Sequence, residues 1–192
     1  GFETFFFRVI SSFSKILSIF LNKKLIIINE NELLIEASLR FLFKGYVPIS
    51  FSLVKTNKSI SKINNKKLSL AKNLLSSIIT NRVSSFTNRA YKKECLNFFF
   101  NQLEEIYKSY QEWLVYFEKK AEYLCINNKK IILFSNHPAS PKGLAAKNVF
   151  NKKNIKLISF QHGVTAEISG SHNYCLSQHD SSASDEYFAF NN

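Results

Sequence analysis

Residues Ile131 to Gly163 read IILFSNHPASPKGLAAKNVFNKKNIKLISFQHG, and the pattern in this stretch decides the fold class. The β-branched and aromatic run Ile131–Ser135 predicts a strand. Ser140 followed by Pro141 supplies an N-cap and a first-turn proline, so a helix is expected over Pro141–Asn151. Ile155–Phe160 then repeats the strand signature and stops abruptly on Gln161, His162 and Gly163.

A similar unit stands near the start of the chain. Lys24–Asn29 (KLIIIN) is a strand, Glu30–Lys44 (ENELLIEASLRFLFK) has helical spacing with Gly45 as its stop, and Tyr46–Leu53 (YVPISFSL) is a second strand. Connections this short imply parallel strands and a right-handed crossover. Pro48 withholds a backbone donor, which places the second strand at an edge. A polar loop, Lys55–Lys67, leads into a helical insertion over about residues 66–125. Its second half carries Leu96, Phe99, Phe100, Leu103, Tyr107, Tyr110, Leu114 and Phe117 as a stripe expected to pack in a core. Glu186–Phe190 is the last strand. The chain is therefore expected to be α/β: a doubly wound, Rossmann-like parallel sheet of about five strands over residues 24–192.

Residues 1–23 read as a separate amphipathic helix. Phe6, Val9, Ile10, Phe13, Ile16, Leu17 and Phe20 recur at helical spacing, while Ser11, Ser14, Lys15 and Ser18 fall largely on the other side. Glu3, Arg8 and Lys15 interrupt the apolar run, which argues against a membrane span. Packing of the apolar side against the protein is expected ahead of contact with a bilayer surface.

Composition bounds the function classes. The 192 residues are 45% hydrophobic, enough for a real core, and they begin at Gly1 without any methionine, so a fragment is expected. Cys95, Cys125 and Cys175 are widely spaced and odd in number, which excludes a disulfide framework and favours a cytoplasmic setting. The net charge is +12; five lysines against four acids from residue 131 onward leave +11 in the first 130 residues. Residues 52–93 hold ten Lys or Arg and no acid; in a chain this rich in lysine many are expected simply to be solvated, and a functional role would be toward anionic lipid headgroups or a phosphorylated acceptor. Arginine is scarce, at four against 22 lysines, and no recognition motif accompanies the charge, so no nucleic-acid partner is expected.

Parallel sheets bind ligands outside the carboxyl ends of their strands. The strand exits here are Asn29-Glu30, Ser135-Asn136-His137, Gln161-His162-Gly163 and Asn191, all polar. His162 can accept a proton near neutral pH, and Gly163 admits a close ligand. Ser140 opens a helix whose N-terminus suits a phosphate, and His137 precedes it. Glu30, Asn136, His137, Ser140, Gln161 and Gly163 are thus candidate binding residues, with His162 the candidate base. No GxGxxG or GKS pattern supports a dinucleotide or P-loop site. His172 and His179 lack metal-ligand spacing, so no metal site is assigned.

The strand ending in QHG, with the later segment SDEYFAFN, resembles the N-terminal Rossmann-like half of GT-B-type bacterial glycosyltransferases that build capsule, lipopolysaccharide or other surface carbohydrate. The resemblance covers mainly residues 131–192 and, more loosely, the opening βαβ unit. It implies an acceptor-side domain facing a second domain that binds the nucleotide-activated sugar, which enters as a substrate rather than a cofactor. It further implies that Gln161, His162 and Gly163 line the cleft, that the acceptor is a carbohydrate or lipid-linked molecule, and that the enzyme works on the inner membrane face. The second domain is absent from these residues, and no DxD motif occurs, so metal dependence stays open. A sugar-nucleotide epimerase, a polyol-phosphate transferase and a noncatalytic α/β binding module are the alternatives.

Overall fold

The computed structural model describes residues 2–55, 65–86, 91–126, 130–160 and 181–188. Helix α1 (Phe2–Ile16) precedes strand β1 (Lys23–Ile27), helix α2 (Glu32–Leu42) and strand β2 (Val47–Ser50). Two long helices follow, α3 (Asn65–Phe86) and α4 (Lys92–Leu124). Strand β3 (Lys130–Ser135), helix α5 (Pro141–Asn151), strand β4 (Leu157–Phe160) and strand β5 (Glu186–Phe188) complete the order. The five strands form one sheet, ordered β2-β1-β3-β4-β5, with every pair parallel. This is the expected doubly wound, Rossmann-like α/β fold.

Two compact units divide the chain. One comprises residues 1–56 and 113–192 and holds the sheet; the other, residues 57–112, holds α3 and the first part of α4. In the helical unit Lys72 on α3 reaches Glu104 on α4 at 2.9 Å. Of the expected stripe on α4, Phe117 is buried, Leu96, Phe100, Leu103, Tyr107, Tyr110 and Leu114 are half-buried, and Phe99 is exposed.

The sheet is covered on both faces because strand side chains alternate. Leu25, Ile27 and Phe134 join Phe7 of α1 and Leu34 and Ile35 of α2 in one buried cluster. Ile26, Ile49 and Leu133 share a register row and point to the opposite face. There the rings of Phe117 on α4 and Phe150 on α5 meet at 6.1 Å. Local chemistry sets the ends of the helices: Asn31 caps α2 by accepting from the Leu34 amide, and Gly45 takes the positive φ (77°) of the turn into β2.

β2 lies at an edge, as Pro48 predicts. In the parallel ladder the Phe51 amide bonds Ile27 of β1, so the amides of residues 48 and 50 face outward. Pro48 has no N–H to leave open, and the Ser50 amide donates to Ser11 Oγ at 2.6 Å. The edge is thus closed to further strand pairing.

That contact overturns the expected orientation of α1. Phe7, Ser11, Ser14 and Ser18 face inward, while Phe2, Phe5, Phe13, Ile16 and Phe20 are each more than 60% exposed. Short serine side chains let the helix approach the edge strand closely and spend their hydroxyls on backbone, Ser14 on Ile10 O and Ser11 on the Ser50 amide. The apolar side is left outside. No helix among the described residues is long and apolar enough to cross a membrane.

Ser11→Ala leaves the buried Ser50 amide without its acceptor, a defect that costs about 1–3 kcal/mol. Ser12→Ala removes an exposed hydroxyl bonded only to Arg8 O and is expected to change stability by less than about 0.5 kcal/mol. Urea unfolding of the two variants measures the contrast, and equal stabilities would remove the edge-closing role.

Candidate functional site

The strand order reverses direction between β1 and β3. From β1 the chain crosses to β2 on one side through α2, and from β3 it crosses to β4 on the other through α5. Right-handed crossovers in opposite directions put the two helices on opposite faces, the topology in which a ligand crevice is expected above the carboxyl ends of β1 and β3. Asn29 and Ser135 meet there, Asn29 Nδ2 donating to Ser135 Oγ at 3.4 Å. Ser135 Oγ also accepts the His137 amide at 3.2 Å, which bends the chain away from the sheet.

The predicted residues divide by what they already hold. Glu30 is nearly buried, its side chain 9% exposed; its carboxylate accepts from Arg8 and from Ser50 Oγ, each at 3.2 Å. The Glu30 amide donates to Ser52 Oγ. Glu30 therefore ties α1 and the β2 exit to β1. Ser140 is the N-cap of α5: its hydroxyl accepts the Gly143 amide and donates to His137 O. An added Cβ at Gly143 would lie 2.5 Å from the carbonyl oxygens of His137 and Pro138, so the 137–140 turn is folded tightly over the first helical turn. With Pro141 lacking an N–H and the Leu144 amide bonded to Ser140 O, Lys142 carries the remaining amide of that turn. The expected phosphate cradle at this helix is accordingly much reduced.

His137 is exposed above the turn, whereas Asn136 is buried with its Oδ1 unpartnered. Ser159 Oγ on β4, in register with Ser135, is also buried and unpartnered. Gln161, His162 and Gly163 lie outside the described residues, as do His172, His179 and Asn191; the sequence sets the first three directly after Phe160, the end of β4. Among the described residues no three His, Cys, Asp or Glu side chains are grouped to hold a metal.

Sequence reading missed Lys142. Its ammonium is buried, donating to Phe51 O at 2.6 Å and Ser52 O at 3.2 Å, and lies 4.5 Å from the centre of the Trp113 ring. From α5, beside β3, it therefore reaches over the end of β1 to the exit of β2. Burial first, and then the charge of Lys15, lower its pKa from 10.5 to about 8 against the opposing charge of Glu30. One signal was available. A lysine in the first turn of a helix opposes the helix dipole, so its side chain must be compensated elsewhere.

Compared with protein-family models, curated proteins and solved structures, the chain matches none.

A lysine that titrates at about 8 in the folded chain and 10.5 when unfolded binds fewer protons folded than unfolded between those values. Its contribution to stability is complete above the unfolded pKa and is lost as pH falls through the folded one, so stability rises between about pH 8 and 10.5. Lys142→Met removes this component. The difference between wild-type and variant unfolding free energies should slope with pH in that window, by at most about 1.4 kcal/mol per pH unit. A flat difference would show an unperturbed lysine.

Proposed function

We propose that the chain is the acceptor-side part of a transferase that moves a sugar from a nucleotide-activated donor to a carbohydrate or lipid-linked acceptor in surface-polysaccharide synthesis. The observation that carries this reading is the topological switch point, where the polar exits of β1 and β3 converge beside a buried, partly deprotonatable lysine. Switch points of this kind take polar, often phosphorylated, ligands. Around it the cations Arg8, Lys15 and Lys142 act on a single acid, Glu30, whose carboxylate is already engaged. The surplus positive charge favours an anionic ligand.

In this reading His162, two residues beyond β4, takes the proton from the attacking acceptor hydroxyl as the bond from the sugar to the diphosphate breaks. The diphosphate leaves with that bond's electron pair. Asn136 and the 137–140 turn contact the acceptor. Glu30 and Ser140 serve as supports for the walls of the crevice, which narrows the binding set read from sequence. Such an enzyme works in the cytoplasm at a membrane face, where its lipid-linked acceptors reside. Metal dependence does not enter the proposal.

The test uses a protein in which this chain is joined to its donor-binding part, assayed with nucleotide sugars and lipid-linked acceptors. His162→Ala is expected to reduce turnover by about a hundredfold to ten-thousandfold, the usual contribution of a general base, with an unchanged melting temperature. Asn136→Ala is expected to raise KM for the acceptor while leaving stability equal or higher, because it removes a buried group that lacks a partner. Near-normal turnover by folded His162→Ala would sink the assignment of the base. Failure of every nucleotide sugar to react would favour the noncatalytic module.

A further inference from the structure

A cavity of about 440 Å3 opens beside the edge strand β2 within the sheet unit. Ile16, Ile19, Ile49, Phe51 and Val54 give it an apolar wall, and Lys15, Lys120, Tyr116 and Tyr123 supply its polar groups. The size and this balance suit a small-molecule site. No acid is among its lining residues. Both ammonium groups are held against aromatic rings of the lining: Lys15 Nζ is 5.6 Å from the Phe51 ring centre and Lys120 Nζ 5.8 Å from that of Tyr116.

The two lysines repel each other. Partial burial pulls the Lys15 pKa down, Glu30 opposes that effect, and the charge of Lys120 adds to it. An anion between them relieves the repulsion and gains two charge-assisted contacts. The apolar wall points to what else that anion carries. Ile16 and Ile19 line the cavity and are also exposed, so the wall runs on into the outward face of α1 with Phe13 and Phe20. A ligand with an anionic head and an apolar chain fits both parts.

We propose that this cavity is a headgroup site for an anionic phospholipid, supplied by a bilayer on whose surface α1 lies with its phenylalanines in the interface. A helix with phenylalanine on one side and basic residues nearby has the chemistry of interfacial binding. Charge decides against a second copy of the chain as the occupant: at +12, docking like on like sets cation against cation, whereas anionic lipid complements the rim. The site does not depend on sugar transfer in the switch-point crevice.

The whole 192-residue chain is tested by flotation with phosphatidylcholine vesicles, with and without phosphatidylglycerol. Binding is expected only with phosphatidylglycerol. Lys15→Gln/Lys120→Gln should weaken it about tenfold. Lys152→Gln/Lys153→Gln removes the same charge elsewhere and should weaken it less than about twofold, since distant exposed charge is screened. Phe5→Ser/Phe13→Ser should abolish binding. Calorimetry with monomeric dodecyl phosphate, below its micelle concentration, should give one site per chain, lost in the Lys15/Lys120 variant. Inorganic phosphate should give no comparable binding, which separates a lipid headgroup from free phosphate. Val54→Trp fills the cavity without altering charge and should also lose the dodecyl phosphate site, so the test stays decisive if the double lysine variant does not fold. Equal losses in the two double lysine variants, equal binding of phosphate with and without the chain, or a dimer dispersed by Phe5→Ser/Phe13→Ser would each overturn the proposal.

Discussion

A right-twisted parallel sheet accepts crossover connections of only one hand, and that constraint organises the sheet unit of this protein. The chain leaves β1 in one direction and β3 in the other. One hand and two directions force α2 and α5 to opposite faces, and the carboxyl ends of β1 and β3 then form the switch point between them. Asn29, Glu30, Ser135 and Asn136 are at that switch point because they stand at or just beyond the ends of two adjacent buried strands. Lys142 reaches it from the first turn of α5.

Much of this was legible in residue order. Ser140-Pro141 marks the start of α5, Gly45 the turn after α2 and Pro48 the edge position of β2, because each residue type has a backbone requirement that holds without tertiary context. What spacing does not contain is which side of an amphipathic helix turns inward. Hydrophobic periodicity gave α1 two faces but assumed that the apolar one is buried. The edge strand selected the serine face instead, since a phenylalanine face would hold the helix too far away to reach the Ser50 amide. The α4 stripe shows a related limit: periodicity picked out a face of which all but Phe99 is at least half-buried, but it did not show that Phe117 alone is buried fully.

The site was legible in part for the same reasons. Strand exits can be read from where apolar runs end, so Glu30, Asn136 and His137 were correctly placed beyond β1 and β3. Their hydrogen bonds could not be read. Glu30 and Ser140 look like ligand contacts in sequence because carboxylates and hydroxyls bind ligands, yet in the fold both are consumed by backbone and side-chain partners nearby. Lys142 escaped notice for the opposite reason. A lysine among 22 carries no signal by type, and its burial depends on two carbonyls 91 and 90 residues earlier in the chain.

The inward serines and the outward phenylalanines of α1 are two consequences of one arrangement. Closing the edge of β2 needs a hydroxyl at short range, and a helix carries residues three and four apart on the same side. Once Ser11 faces Ser50, Phe7, Ser14 and Ser18 must share that side, and Phe2, Phe13, Ile16 and Phe20 are turned away. Lys15, next to Ile16, is thereby directed toward the end of β2, where Phe51 meets it and Lys120 approaches from α4. A rotation of α1 that buried its phenylalanines would reopen the Ser50 amide, withdraw Arg8 from Glu30 and remove Lys15 from the cavity at once. Stability at the sheet edge, the setting of Glu30 at the crevice and the character of the outer surface are therefore fixed by the same rotation angle.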